Sequence, residues 1–321
     1  MKKKWIAAAL AGLLLASVLL SGCSSAQTVK RLRFGVAGEG GVYREFGELL
    51  AALENETDSG QVELKATAGS AANLRLLSGE YLQLAIAQAD LVQDAYNQTG
   101  IFKDEEETRG FGAVAALYTE ACQVVVRADS DIQTVEGLQG KTVSIGAEES
   151  GSEQNAQQIL AAYGLNDKMV SMVNLNYEDA AAQLKAGKID AIFMTVGAPS
   201  PVLTELAGEC GIRLLNVDGA AAQRLTSAYS AYSTITLPAD IYPGQTEEVH
   251  TVGVKAVLLA SDELPAKQVQ KLTELLFSGR ESMEEQLGIP LDAEQDAVEG
   301  VDIPFHEGAA AYYQAAGITV D

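Results

Sequence analysis

The feature that most constrains the fold is a junction near the middle of the chain. There Lys141-Thr142-Val143-Ser144-Ile145-Gly146 runs through Ala147-Glu148-Glu149-Ser150-Gly151-Ser152 into Glu153-Gln154-Asn155 and on to Tyr163. The first six residues alternate and are β-branched at Thr142, Val143 and Ile145, which predicts a strand. From Glu153 onward good helix formers dominate, with Ile159, Leu160 and Tyr163 at helical spacing. Ser150 stands three residues before Glu153, the spacing of a capping box with Ser150 as N-cap and Glu153 at N3. Such a start points unpaired amides out of the first turn, at the positive end of the helix dipole. Gly151 has no Cβ to keep another molecule away from them. The same residues serve equally as an ordinary well-capped turn, so the stretch alone does not choose between an anion seat and a structural junction. A phosphate loop is excluded, because no Lys-Ser or Lys-Thr pair follows the glycines.

The pattern recurs along the chain. Residues 32–36 read as a strand that passes through Ala37-Gly38-Glu39-Gly40-Gly41 into a helix over 42–53, with Phe46, Leu49, Leu50 and Leu53 on one face. Residues 61–68 alternate as a strand, and Gly69-Ser70 opens a helix in which Ser70 caps and Asn73 sits at N3. A third strand, 81–87, ends at Gln88-Ala89-Asp90, where Asp90 either faces a solute or caps the next helix. Residues 112–127 form one long extended segment, interrupted at Tyr118-Thr119-Glu120, whose length suits a strand crossing between two lobes. Residues 169–173, 189–196 and 212–217 are further strands, a helix spans 179–185, and Ser200 with Pro201 at N1 starts another. A long strand over 252–260 returns toward the first lobe, and helices fill the C-terminal end. Strands alternating with helices predict an α/β protein with mostly parallel sheets. In open sheets of this kind the ligand crevice lies outside the carboxyl ends of the strands. The expected division is 31–119 with 256–321 as lobe 1 and 120–255 as lobe 2, a hinged clamp with a cleft between.

The N-terminus carries a different signal. Lys2, Lys3 and Lys4 precede an apolar run over 5–20, then Leu19-Leu20-Ser21-Gly22-Cys23. Basic, apolar and small-residue regions in this order make 1–22 a secretion signal. The ending resembles the bacterial lipobox, which implies that Cys23 is acylated and anchors the mature protein to the outer face of a bacterial membrane, with 23–30 as a tether. Without the leader, 19 basic residues face 44 acidic ones, a balance near −25. That argues against nucleic acid as a partner. The runs Asp104-Glu105-Glu106-Glu107 and Glu148-Glu149 read as solvated surface. Cys122 and Cys210 are either free or bridged, and their spacing decides neither. His250 and His306 stand alone, so neither a zinc site nor a Ser-His-Asp triad has material to work with, and no metal or cofactor is expected.

Several separated motifs resemble the TAXI family, the extracytoplasmic receptors of TRAP-type secondary transporters. They are Gly40-Gly41-Val42-Tyr43, 69–77 from Gly69-Ser70 to Leu77, Gln88-Ala89-Asp90, and Leu117-Tyr118-Thr119-Glu120. To these add Leu138-Gln139-Gly140-Lys141, 150–156 from Ser150-Gly151-Ser152, Gly197-Ala198-Pro199-Ser200-Pro201, and His306-Glu307-Gly308-Ala309 with Tyr312-Tyr313. Their order spans residues 32–318. The resemblance implies a two-lobe, type II periplasmic-binding-protein fold. It also implies a monomeric receptor for a small carboxylate, such as glutamate or glutamine, handed to an ion-driven permease. Arg44 departs from the family where an aromatic is common, as does Thr119 where a proline is usual. Glu148 and Glu149 would repel an anion if they faced the cleft.

The expected ligand-binding residues are Gly41, Tyr43, Ser70, Asn73, Gln88, Asp90, Tyr118, Glu120, Ser150, Gly151, Ser152, Asn155 and Gly197. Glu120 would meet a ligand ammonium. Arg75, inside a helix, reads as a surface ion pair and His306 as a structural contact. Two other readings compete: a ligand sensor for a membrane kinase, and an extracytoplasmic α/β enzyme using Glu120 with Tyr118 as an acid–base pair.

Overall fold

The computed structural model describes residue 29 and residues 31–57, 61–105 and 108–320; the leader, Cys23 and the rest of the tether lie outside the described residues. Three strands open the chain, β1 (Arg31–Gly35), β2 (Gln61–Lys65) and β3 (Leu84–Gln88), separated by α1 (Val42–Asn55) and α2 (Ser70–Ser78) and followed by α3 (Ala89–Asn97). β1 pairs in parallel with both β2 and β3, so α1 is a crossover between neighbouring strands and α2 crosses over β1 from β2 to β3.

Two long strands hold the molecule together. β4 (Phe111–Arg127) runs 17 residues and is buried along almost its whole length, the near-continuous apolar run of a strand covered on both faces. β10 (Val249–Ser261) lies antiparallel to it. The interruption expected at Tyr118-Thr119-Glu120 is a shift of register instead. Ala256 pairs with Tyr118 but Val257 with Ala116, so Leu117 bulges out and β4 continues through it.

Between these strands come β5 (Thr142–Ser144), α4 (Gly151–Ala162), β6 (Ser171–Val173), α5 (Tyr177–Lys185) and β7 (Ala191–Val196). They are followed by α6 (Pro201–Cys210), β8 (Ile212–Leu215), α7 (Gly219–Ala228) and β9 (Ser233–Leu237). The chain closes with α8 (Ala266–Leu287) and α9 (Glu307–Ala315). The sheet runs β2-β1-β3-β10-β4-β7-β5-β6, with β8 on β4 and β9 on β10. β5 pairs in parallel with β6 and β7, which repeats the parallel arrangement of the first three strands.

β4 and β10 thus join two parallel units through antiparallel ladders. One core spans both units, with Phe34 and Phe46 in the same cluster as Leu184 and Leu203, and each unit adds a cluster of its own. Leu74, Leu77, Leu91 and Phe102 pack with Val257 and Leu259 in the first, and Ile159, Leu160, Phe193 and Leu225 with Val124 and Val252 in the second. The element boundaries largely follow the sequence pattern. Exceptions are α7 and β9, which the pattern did not announce: β9 is mostly exposed and is a strand because β10 offers it a ladder. No helix among the described residues is long and apolar enough to cross a membrane.

Candidate functional site

The carboxyl ends of the parallel strands meet on one cavity of about 130 Å³. Ala37 follows β1, Thr67 follows β2, Gln88 ends β3, Ala147 follows β5, Asn176 follows β6, and Thr195 and Val196 end β7. Four helices start at the same place, α1 at Val42, α2 at Ser70, α4 at Gly151 and α5 at Tyr177. Each brings the positive end of its dipole and amides without an intrahelical acceptor. Four such ends around one small volume favour an anion.

The start of α4 follows the expected cap with one displacement. Ser150 Oγ accepts from the amide of Glu153 at 3.1 Å. The Glu153 carboxylate reaches back to the amide of Glu149 at 2.8 Å, while the amide of Ser150 donates to Ala147 O at 3.1 Å. The reciprocal half of the capping box therefore closes one residue early. Gly151 is required for a reason that only the fold discloses. A Cβ there would lie 1.9 Å from Gln88 Oε1, so the side chain at the end of β3 rests on the bare Cα of α4. The Ser152 hydroxyl accepts from the Thr195 amide at 3.0 Å and lies 2.6 Å from Tyr177 Oη, which in turn donates to Thr195 O.

At α2 the residue before the helix is Gly69, at φ 132°, and Ser70 is not the cap. Ser70 Oγ instead accepts from the Gln88 amide at 3.1 Å. The amides of Ala71 and Ala72 donate to Glu149 O, at 3.2 and 3.4 Å, so this helix end holds the loop that precedes α4. Gly69 is needed on both counts: its φ is open to glycine alone, and a Cβ would press the Ser150 Cα at 3.2 Å.

One wall of the cavity is acidic. Glu120, 3% exposed in the middle of β4, accepts from Tyr43 Oη at 2.8 Å. Burial pushes its carboxyl up to about 8, hydrogen bonds from Tyr43 and Gln88 pull the other way, and the nearby Asp90 raises it further. Burial likewise lifts Asp90 to about 7 and Tyr43 well above the ordinary phenol range. Among the described residues, no Lys, Arg or His lines the cavity.

Of the expected residues, Gly41, Tyr43, Ser70, Gln88, Glu120, Ser150, Gly151 and Ser152 line it. Asn73, Asp90, Tyr118, Asn155 and Gly197 do not. Asn73 is fully buried behind the wall, where Nδ2 donates to Gly35 O and Ile86 O and Oδ1 accepts from Thr67. It ties the ends of β1 and β3 together rather than facing a solute. Asn155 Nδ2 donates to Asp90 Oδ2 at 2.9 Å and to Tyr232 Oη at 2.7 Å, a buried link between α3 and α4. Asp90 is in the first turn of α3, whose N-cap is Gln88, so it does not cap that helix with its side chain. Tyr118 is buried with its ring against Gly197. Thr67, Asn176, Tyr177 and Thr195 line the cavity without having been expected. Asn176 was findable: its side chain accepts from the Asp179 amide, so it is an N-cap directly after a strand, the signal used elsewhere in the chain.

Arg75 forms the surface ion pairs expected of it, with Glu105 at 2.6 Å and Glu149 at 3.0 Å. Glu149 is therefore turned onto Arg75 and away from the cavity. The His306 side chain accepts from the Gly308 amide at 3.1 Å as the cap of α9. Cys122 and Cys210 are both free.

Two parallel α/β units, joined by crossing strands and closing on a cavity at their strand ends, are the two-lobe fold of periplasmic binding proteins. Solved structures share it. The periplasmic binding protein BugD matches with a TM-score of 0.57 at 13% identity, over 90% of this chain and 98% of that one. The alkanesulfonate-binding protein SsuA from Xanthomonas axonopodis pv. citri, bound to MOPS, gives 0.51 at 18% identity, over 83% and 82%. PhnD1 from Prochlorococcus marinus (MIT 9301), in complex with methylphosphonate, gives 0.52 at 12% identity, over 80% and 88%. Identities this low speak for the fold alone. The chain itself belongs to the NMT1-like family, whose model matches residues 34–317.

Proposed function

We propose that the protein is an extracytoplasmic solute receptor that binds a small carboxylate between its lobes and performs no chemistry on it. The observation that carries this reading is the convergence of four helix N-termini on one cavity, with the Gly151 and Ser152 amides at N1 and N2 of α4. The solute is an amino acid such as glutamate or glutamine, handed to a TRAP-type permease, as the resemblance to the TAXI family implies. The lobes are 31–119 with 256–321 and 120–255, and the hinge lies where β4 and β10 cross between them. Acylated Cys23 holds this monomer at the membrane. SsuA is an alkanesulfonate-binding protein and PhnD1 is in complex with methylphosphonate, small anionic groups on the same fold. The enzyme reading draws no support from the geometry, because Glu120 takes its phenolic hydrogen bond from Tyr43 rather than Tyr118.

A thermal-shift screen against amino acids and dicarboxylates tests the reading. A solute at a hundred times its dissociation constant stabilises by about 2.7 kcal/mol. The variant Gly151→Val places a branched side chain onto Gln88 and the α4 amides. Charge-assisted hydrogen bonds of this kind contribute roughly 1.5–3 kcal/mol each, so affinity should fall at least about tenfold. Because the added Cβ meets buried Gln88 at 1.9 Å, the melting temperature without solute should fall as well, so affinity is measured at a temperature where the variant is folded. Unchanged affinity in this variant would reduce the junction to a well-capped turn, and mass analysis showing a transformed solute would overturn the receptor reading.

A further inference from the structure

We infer that the cavity is built for a zwitterion with an uncharged side chain. Its carboxylate takes the α4 amides, its ammonium takes Glu120, Gln88 and Tyr43, and the Glu120 carboxyl releases its proton to solvent as the solute enters. The inference rests on the receptor reading above and narrows its solute.

Charge balance is the first ground. Among the described residues, the cavity wall carries the carboxyls of Glu39 and Glu120 and not one cationic side chain. A solute with one carboxylate finds helix N-termini for it. A second carboxylate, as in glutamate, would have no Lys or Arg to meet and would share the space with Glu120. The helix ends have also been partly claimed, since the α2 amides of Ala71 and Ala72 are given to Glu149 O.

Unused acceptors are the second ground. Gln88 is 2% exposed, lines the cavity, and its Oε1 has no hydrogen-bond partner. A buried acceptor left without a donor costs free energy until one arrives. Beside it lie the Glu120 carboxyl and Tyr43 Oη, which donates to Glu120, meets the Ser70 hydroxyl and keeps one further lone pair. An ammonium group offers three donors, and these are three acceptors on one wall.

The surroundings of Glu120 supply no competing cation. Facing it are Tyr43 on α1, Asp90 on α3, Cys122 and Tyr118 on β4 and Tyr177 on α5, each neutral or acidic. Lys255 on β10, one residue beyond the Val254 that pairs with Glu120, is held by Asp292 at 2.5 Å. With burial lifting the Glu120 carboxyl to about 8, the empty site is protonated at neutral pH. The arriving ammonium restores the carboxylate and the proton leaves to solvent, so the ammonium–Glu120 pair is neutral. The solute carboxylate makes the loaded site one charge more negative and is met by the helix N-termini.

Calorimetric titration of the full chain with L-glutamine, L-alanine, L-glutamate, propionate and glutarate tests this, each run in two buffers of different ionisation enthalpy. Expected are tighter binding of L-glutamine or L-alanine than of L-glutamate, propionate or glutarate, and release of close to one proton per amino acid at pH 7. Amino-acid affinity should rise by up to about tenfold per pH unit from pH 6 and level off above the Glu120 titration. Glu120→Gln should lose at least tenfold in L-glutamine affinity and release no proton. Should that variant not fold, Tyr43→Phe should weaken L-glutamine binding while keeping the proton release. If propionate or glutarate binds as tightly as the amino acids, or affinity falls as pH rises, the ammonium seat is wrong and the receptor reading stands. If none of the five binds, the receptor reading falls and takes the inference with it.

Discussion

Glu120 and Asp90 are single residues whose placement makes a property of the whole chain measurable. Both are buried carboxyls raised by desolvation, Asp90 to about 7 and Glu120 to about 8. The folded protein therefore holds protons that the unfolded chain has already lost in the window between the ordinary carboxylate range and pH 8. Stability from these groups is fully present at low pH and is lost as pH rises through the folded values. The melting temperature of the solute-free protein should fall from pH 5.5 to 8.5, and Glu120→Gln or Asp90→Asn should flatten that decline. A melting temperature that rises over this window would contradict the protonation assigned here. Sequence disclosed Glu120 as a candidate because it sits where the long segment crosses between the lobes, in a motif that resembles the TAXI family. It could not disclose that Tyr43, 77 positions away, supplies the hydrogen bond.

The elements divide by how their information is stored. The α4 junction was legible because its instructions are local: β-branched alternation, a Ser N-cap and a Glu at N3 each act within a few residues. Asn73 was misleading for the same reason. Its spacing from Ser70 resembles cap chemistry, yet its amide is used by Gly35 O and Ile86 O, on two other strands. β9 was illegible because its strand character comes from β10 and not from its own residues. Asn73→Ala should therefore act on stability ahead of binding, since it removes the buried side-chain donor to two carbonyls and the acceptor for Thr67. At about 1–3 kcal/mol for an orphaned buried group, a loss of roughly 3 kcal/mol is expected in urea denaturation. An effect below about 1 kcal/mol would show that the brace between β1 and β3 is dispensable.

At the scale of the molecule, the two units are in contact around the cavity. Gln88 lies on Gly151, Asp90 on Asn155, and Glu149 is held by α2 through its carbonyl and by Arg75 through its carboxylate. Glu149 adopts φ 63°, a left-handed conformation that is uncommon for a residue with a Cβ. Arg75 and the α2 amides hold it there, so this loop is set in place by residues of the other unit. The crossing strands were legible in their length, and the crevice at the strand ends followed from the α/β alternation. The interlocking of side chains across the cavity was not, because it depends on how two units meet.

In the receptor reading, the Gly151 and Ser152 amides receive the carboxylate of the solute. Amide nuclear magnetic resonance of the isotope-labelled protein, titrated with L-glutamine, reads those two donors directly. The Gly151 and Ser152 amide protons should move downfield, in step with saturation, by more than any amide in the outer halves of either unit. Saturable binding that leaves both amides unmoved would contradict it.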